Sequence, residues 1–216
     1  MSNFVWVIAH VTKSIADGLL HRAFSVFLFN DEGKLLLQKR ASTKITFPNM
    51  WANTCCSHPL FTESELVEKD AIGVRRAAVR KLEHELGITE MDVDDLTFVT
   101  KIHYEAAQDE HWGEHEIDWL LFAKKNIRLD VNPNEVGEYR WVSMQELQDM
   151  IKQCEAGEVC LAPWFQLISE RFLSKWWPRV DEIIKNGGLP DDLKEGLSDI
   201  QRLGTPNNAR TASSFV

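Results

Sequence analysis

The sequence predicts one mixed α+β domain, on the strength of three local patterns. Residues 23–29 and 34–39 are apolar runs joined by turn residues at 30–33, which is typical of a β-hairpin. Residues 65–86 carry apolar side chains at three- and four-residue spacing, as an amphipathic helix does. Short strand patterns then recur along the chain without an internal repeat, so strands and helices belong to one unit.

The remaining elements follow from local signals. Four more segments have strand patterns: residues 51–56, 96–104, 117–123 and 139–142. Gly87 is a C-terminal stop for the preceding helix. Ser143 and Glu146 match a capping box, which predicts a helix that runs to about Glu155. Pro163 suits the first turn of a last helix.

Length and composition fit this organisation. The chain has 216 residues, of which 44% are hydrophobic and 26% are charged, as in an ordinary soluble globular protein. We expect a single domain over residues 1–185 and a partly frayed C-terminal extension over 186–216. Residues 202–216 are rich in Gly, Pro, Asn, Ser and Thr, which favours fraying.

Charge and hydropathy exclude several classes of partner. The net charge of -9 argues against general nucleic-acid binding, because phosphate contacts need a basic face. No apolar run is long enough to span a membrane. Residues 4–8 are apolar but lack a preceding basic region, so they do not resemble a signal peptide.

The cysteines indicate a reducing compartment. Cys55 and Cys56 are adjacent, which makes a poor disulfide, and no C-x-x-C zinc spacing occurs with Cys154 and Cys160. We therefore expect a cytoplasmic protein, with a peroxisome or another organelle as the alternative.

Residues 53–59 place two thiols, a hydroxyl and an imidazole in one short stretch. In an extended strand, Cys56 and His58 share one face while Cys55 and Ser57 share the other. This pattern indicates a functional site. A buried strand of small residues with a hydrogen-bonded His fits the stretch equally well.

Histidines and carboxylates elsewhere could hold a metal. Candidates near loops or strand ends are His10, His21, His58, Glu114, His115 and Glu116. Imidazole with carboxylate suits Zn²⁺, Mn²⁺ or Fe²⁺. If residues 114–116 are extended, the two glutamates point the same way and need a cation or a shared proton. The alternative is a solvated acidic loop over residues 108–116 with isolated surface histidines.

The end of the predicted helix resembles a degenerate Nudix box. Arg80-x-Leu82-x-x-Glu85-x-Gly87-Ile88 matches its second half. The positions that depart from the box are Leu66, Ile72, Lys81 and His84. A Nudix pyrophosphohydrolase uses glutamates there to hold metal and activate water, so these departures disfavour hydrolysis.

Three motifs together resemble type 1 isopentenyl-diphosphate delta-isomerase in its eukaryotic form. They are residues 20–25 (LHRAFS), 53–59 (NTCCSHP) and 112–118 (WGEHEID), in collinear order within a resemblance over residues 8–177. The resemblance implies a Nudix-type α/β/α sandwich with a mixed central sheet. It also implies isomerisation of isopentenyl to dimethylallyl diphosphate through a tertiary carbocation, in isoprenoid precursor biosynthesis.

The resemblance also implies residue roles. The ligands of one divalent metal, Mn²⁺, Mg²⁺ or Zn²⁺, match His10, His21, His58, Glu114 and Glu116. Cys56 and Glu116 match the catalytic pair, and Tyr104 and Trp164 match aromatic residues beside the reacting carbons. Arg40, Lys44 and Ser57 match substrate contacts, and Glu85 matches a ligand of Mg²⁺ on the substrate diphosphate. Trp6 occupies the place of a substrate-binding Lys, so no phosphate contact is assigned there.

The expected partner is a small-molecule isoprenoid diphosphate, bound by a monomer. Two alternatives stay open beside the isomerase. One is a Nudix pyrophosphohydrolase, which Lys81 and His84 disfavour. The other is a non-catalytic metal-binding domain, in which the cysteines and histidines are purely structural.

Overall fold

A mixed sheet organises the fold. The computed structural model describes residues 18–109 and 112–202. Within these residues eight strands form one sheet: β1 (His21–Phe29), β2 (Leu35–Arg40), β3 (Trp51–Ala52), β4 (Cys55–Ser57), β5 (Thr97–Ala107), β6 (Gly113–Lys124), β7 (Val136–Val142) and β8 (Ile200–Arg202). Their order is β3-β2-β1-β6-β5-β8, with β4 paired to β1 and β7 to β2. The β1–β6 and β5–β8 pairs are parallel and the others antiparallel, so the predicted mixed sheet is confirmed.

Helices cover both faces of this sheet. They are α1 (Ile72–Leu86), α2 (Met144–Glu155), α3 (Pro163–Ile168), α4 (Ser174–Trp176), α5 (Val180–Lys185) and α6 (Asp191–Lys194). Along β1, Phe27 and Phe29 belong to the core between the sheet and helices α2 to α5. Val26 and Leu28 belong to the core between the sheet and α1. A strand buried on both faces has a continuous apolar sequence, as residues 23–29 do. The predicted sandwich is confirmed.

Helix α1 begins later than its periodicity predicts. Residues 65–71 precede α1, because Asp70 and Ala71 have left-handed backbone (φ 53° and 56°) that separates a short 3-10 turn at Lys69–Ala71 from the helix. The predicted stop is confirmed: Gly87 has φ 66°, and its N–H donates to the Glu83 carbonyl. A side chain at Gly87 would also lie 2.4 Å from the Asp130 carbonyl oxygen, so glycine is needed there.

The predicted strand over residues 51–56 is interrupted. Asn53 and Thr54 separate β3 from β4 at the place where β1 and β2 diverge. The Thr54 hydroxyl accepts from the Leu28 amide at 2.9 Å and donates to the Leu36 carbonyl at 2.7 Å. A side chain therefore replaces the missing backbone pairing between the two strands.

The predicted acidic loop over residues 108–116 is wrong in its second half. Strand β6 begins at Gly113, and Glu116 pairs with Tyr104 across the antiparallel β5–β6 ladder. Glu114 and Glu116 are each only 5% exposed. The alternative of a solvated acidic loop is therefore wrong for this pair, and the extended segment with both glutamates on one face is what the structure has.

The C-terminal half agrees with its local signals. The Ser143–Glu146 capping box is present, and Pro163 opens a run of helical segments that continues to Lys185. Part of the expected extension is folded, because α6 and β8 lie within it. Residues 203–216 lie outside the described part, and the division at residue 186 stays a prediction. No helix among the described residues is long and apolar enough to cross a membrane.

Candidate active site

A cavity of about 300 Å³ opens where β1 and β2 separate. Most of the predicted site residues line it: Arg40, Lys44, Cys56, Ser57, His58, Tyr104, Glu114, Glu116 and Trp164. They come from several strands, from the loop after β2 and from the start of α3. The structure therefore gathers residues that are scattered through the sequence around one concave surface.

A cluster of two imidazoles and two carboxylates forms one end of the site. His21, His58, Glu114 and Glu116 each offer a ligand atom, and these atoms lie within 4.8 Å of one another. His21 is brought to Glu116 by the parallel β1–β6 register, which pairs these residues directly. The His58 Nε2 is 2.7 Å from the Glu116 Oε1. His10, the remaining predicted ligand, lies outside the described residues.

The orientation of His21 suits metal binding. Its Nδ1 lies 2.7 Å from the Leu19 carbonyl oxygen, to which it donates, and this leaves Nε2 free to bind a metal. The buried His21 Nε2 and Glu114 Oε2 have no hydrogen-bond partner among the described residues. Unpaired buried polar atoms are costly, and a divalent ion satisfies them. These residues therefore fit the implied metal.

Charge coupling in this cluster is strong. Burial disfavours the His21 imidazolium, but the carboxylates of Glu114 and Glu116, 3.4 and 3.3 Å from Nε2, outweigh burial and raise the pKa of His21 to about 10. Burial likewise disfavours the Glu116 carboxylate, yet His21 and His58 hold the pKa of Glu116 below its usual value. Paired buried carboxylates thus require a positive partner, either a proton on His21 or a metal ion.

Cys55 and Cys56 face opposite sides of the sheet, as the predicted alternation requires. Cys55 is fully buried in the core beside α1, and Cys56 lies in the cavity. Ser57 also lines the cavity, so the simple alternation does not extend to it. Burial raises the pKa of the Cys56 thiol to about 12, against the lowering effect of Arg40, so Cys56 carries its proton at neutral pH.

Tyr104 connects to the second proton-handling group. Its hydroxyl donates to the Glu116 Oε2, while the other oxygen of Glu116 faces the histidines. Burial, and then the negative charge of Glu116, raise the pKa of Tyr104 well above its usual value, so the phenol stays protonated. Glu116 is consequently held at both oxygens.

Trp164 forms an aromatic wall of the cavity. Its indole N–H donates to the Asn53 side-chain oxygen at 3.0 Å, which fixes the ring. The Arg40 guanidinium carbon lies 5.6 Å from the ring centroid, within range of a cation–π contact. The ring therefore already faces one cation at the edge of the cavity.

The basic residues lie on the polar side of the cavity. Arg40 donates to the carbonyl oxygens of Thr46 and Phe47, and this shapes the loop that carries Lys44. The Lys44 ammonium is 2.6 Å from the Glu135 carboxylate. Arg40 and Lys44 therefore make the polar side cationic, and Glu135 partly offsets their charge.

Glu85 lies behind the cavity wall, outside the lining. Its carboxylate contacts the Lys81 ammonium at 2.9 Å and the Cys55 sulfur at 3.6 Å. Gln38 also donates to it, at 3.2 Å. The structure therefore separates Glu85 from the His/Glu cluster, and its predicted role stays a prediction.

Two functional candidates escaped sequence reasoning. Asp118 is 1% exposed and accepts from the Ser25 hydroxyl at 2.8 Å. Its place two residues after Glu116 in an extended segment was the available signal. Glu135 lines the cavity but appears in sequence only as the end of an Asn-Pro-Asn turn, so nothing local marks it.

Comparisons with known proteins agree with this geometry. The NUDIX domain family matches residues 19–165. Isopentenyl-diphosphate Delta-isomerase 1 of Bos taurus is 53% identical over 176 residues, which cover 81% of this chain and 78% of that protein. Isopentenyl-diphosphate Delta-isomerase of Dictyostelium discoideum is 52% identical, with 81% and 75% covered. The chloroplastic isomerase I of Arabidopsis thaliana is 52% identical, with 80% and 61% covered.

A solved structure supports the fold independently. A NUDIX hydrolase from Alicyclobacillus acidocaldarius superposes with a TM-score of 0.55 at 12% identity, covering 77% of this chain and 96% of that one. At this identity the likeness concerns the fold alone. The close relatives, the family match and the mixed-sheet sandwich lead to one conclusion: the chain belongs to the isopentenyl-diphosphate Delta-isomerase family and has the Nudix fold.

Proposed function

We propose that this protein converts isopentenyl diphosphate into dimethylallyl diphosphate by moving a proton on and off the carbon skeleton, with Cys56 and Glu116 as the proton-handling pair. The observation that carries the proposal is that Cys56, Glu116 and Trp164 line one cavity beside the His/Glu cluster. Close relatives at about 50% identity bear the isomerase name, which supports the same reaction.

The reaction needs one group that gives a proton and one that takes a proton. At neutral pH the Cys56 thiol carries its proton and Glu116 is ionised, so one group can give a proton and the other can take one. Protonation of the double bond gives a tertiary carbocation, and loss of a proton from the neighbouring carbon gives the product. Tyr104 holds Glu116 in place and is suited to relay a proton to it.

The carbocation must be protected from water. Trp164 is 4% exposed and its indole face stabilises a positive charge electrostatically. Tyr104, which also lines the cavity, is 2% exposed, and the buried Phe47 ring packs edge-on against Trp164 at 5.6 Å, so this end of the cavity is shielded from water. We therefore infer that Trp164 stabilises the carbocation and that the reacting carbons bind at this end of the cavity.

His21, His58, Glu114 and Glu116 would hold the divalent metal, with His10 as the further ligand that the sequence suggests. When bound, such an ion neutralises the carboxylates and fixes the orientation of Glu116. The mixed imidazole and carboxylate donors suit Mn²⁺, Mg²⁺ or Zn²⁺. Elemental analysis of the purified protein distinguishes these ions.

The diphosphate would bind at the polar side of the cavity. Arg40, Lys44 and Ser57 line that side and offer cationic and hydroxyl donors. Glu85 would hold Mg²⁺ on the diphosphate only if its carboxylate left Lys81 and reached the cavity. Binding of the diphosphate contributes affinity that is remote from the reacting carbons.

Incubation with isopentenyl diphosphate in D₂O tests the proposal against its rivals. An isomerase gives dimethylallyl diphosphate that contains deuterium. A Nudix pyrophosphohydrolase releases phosphate instead, and a non-catalytic domain gives neither product. Phosphate release without isomerised product contradicts the proposal.

We also propose that the protein is a cytoplasmic monomer. The support is the acidic balance of the sequence together with four free cysteines, which are typical of a reducing compartment. Light scattering after size exclusion measures the mass, and imaging of a tagged full chain locates the protein. A mass of two chains contradicts the monomer, and an organellar signal contradicts the cytoplasmic location.

A further inference from the structure

Glu135 lies among the cations of the cavity's polar side. Its carboxylate is 2.6 Å from the Lys44 ammonium and 3.9 Å from the Lys81 ammonium. Lys81 is also 2.9 Å from the buried Glu85 carboxylate. Each lysine that could attract a diphosphate therefore already has an anionic neighbour.

The backbone holds Glu135 at this position. The Ala41 amide donates to the Glu135 carbonyl at 3.0 Å, and the Thr43 hydroxyl donates to the Asn134 carbonyl at 3.0 Å. The Asn132 amide donates to the Glu85 carbonyl at 3.0 Å, which ties the same turn to α1. Because the turn is fixed to the Lys44 loop and to α1, the backbone of Glu135 stays beside the two lysines when an anion enters.

The charges of this wall nearly cancel. Arg40, Lys44 and the Glu135 carboxylate line it, so two cations against one anion leave one net positive charge, and Lys81 and Glu85 neutralise each other behind the lining. The Glu135 and Lys81 side chains are only 19% and 12% exposed, so water screens the charges weakly. A free diphosphate carries several negative charges, and one divalent ion cancels two of them.

We propose that Glu135 makes the cavity select a diphosphate complexed with a divalent cation and reject the free anion. An oxygen that binds the Lys44 ammonium must come close to the Glu135 carboxylate, since these two groups are in contact. The free anion is repelled there, whereas the metal complex matches the small net charge of the wall. This inference rests on the proposed function for the nature of the substrate.

A purely positioning role for Glu135 makes the opposite prediction. If its carboxylate only held Lys44 in place, its removal would weaken every diphosphate. At this weakly screened wall, repulsion between the fixed Glu135 carboxylate and the oxygens of a free diphosphate is large at short range. Removal of the charge should therefore strengthen binding of the free anion.

Calorimetry with inorganic pyrophosphate tests the inference on the metal-loaded protein, with and without added Mg²⁺. For Glu135→Gln we expect the affinity for pyrophosphate without Mg²⁺ to rise about tenfold, so that the advantage given by Mg²⁺ shrinks by a similar factor. Glu135→Asp keeps the charge and should retain the Mg²⁺ dependence. Glu138→Gln is the matched control, because the Glu138 carboxylate is half-exposed, contacts Arg140 at 3.0 Å and lies outside the cavity lining.

Weaker binding of free pyrophosphate to Glu135→Gln, or an unchanged Mg²⁺ advantage, overturns the inference. Thermal unfolding of each variant shows whether the fold is intact. The D₂O assay on the wild-type protein is run in parallel. If the wild-type protein gives no isomerised product but the variants show the expected pyrophosphate affinities, the proposed function is overturned and the inference about Glu135 stands. The two outcomes are separable because the binding measurement requires no turnover.

Discussion

Cys55 and Cys56 are neighbours in sequence but contact different sides of the sheet. Cys55 packs beneath α1, and Cys56 shares the cavity with Arg40 and Trp164. The alternation of a strand is enough to predict this difference, but it cannot say which side holds a cavity. Only the positions of the helices on the two faces decide that.

We expect Cys56→Ala to lower kcat by about 100-fold or more, because a proton-transfer group is lost. Glu116→Gln should have a similar effect. Steady-state kinetics with isopentenyl diphosphate measures both. Cys55→Ala is the matched control, and it should lower the melting temperature while kcat stays near the wild-type value. An inactive Cys55→Ala with an active Cys56→Ala contradicts the assignment.

Trp164 should matter for the charged intermediate more than for binding. We expect Trp164→Leu to lower kcat about tenfold, the size of a desolvated cation–π contact, with a smaller change in KM. Trp177→Leu is the matched control, since Trp177 is also buried but bonds to the Gly33 carbonyl away from the cavity lining. Near-normal turnover by Trp164→Leu would remove its proposed role.

At the scale of elements, an ion pair helps to hold the loop between β4 and α1 to the helix. Arg80 contacts both oxygens of Glu65, at 2.7 and 2.9 Å, and also donates to the His58 carbonyl at 3.3 Å. The Arg of the degenerate Nudix box therefore steadies a residue of the His/Glu cluster. The sequence shows this Arg, but its partner Glu65 falls outside the box pattern.

Glu65→Gln should loosen this loop. We expect a loss of about 1–2 kcal/mol in the free energy of unfolding, as for a charge-assisted hydrogen bond, together with weaker metal binding through His58. Chemical denaturation and metal titration measure the two effects. Glu63→Gln, in the exposed part of the same loop, is the control. Equal metal affinity in the two variants argues against the coupling.

At the scale of the whole molecule, the His/Glu cluster links strands that are distant in sequence, so its charge state affects stability. The pKa of His21 is about 10 in the folded protein and 6.5 in the unfolded chain. The stabilisation is therefore fully present below pH 6.5 and is lost as pH rises through about 10.

We expect the melting temperature of the metal-stripped protein to fall between pH 7 and 10. A bound divalent ion takes the place of the proton, so the metal-loaded protein should show a smaller fall. Thermal unfolding followed by circular dichroism measures both forms. His21→Gln, when metal-free, should lose most of this dependence. A metal-stripped melting temperature that rises with pH contradicts the charge assignment.

Local chemistry by itself determined much of this protein. The strand at 23–29, the Gly87 stop and the Ser143 cap depend on nearest neighbours, and all were predicted correctly. The three motifs at residues 20–25, 53–59 and 112–118 identified the family and the candidate site residues. The tertiary structure alone decided that Glu114 and Glu116 are buried in β6, and that Glu135 reaches Lys44. Burial and long-range pairing depend on which distant strands meet, and no local pattern records that.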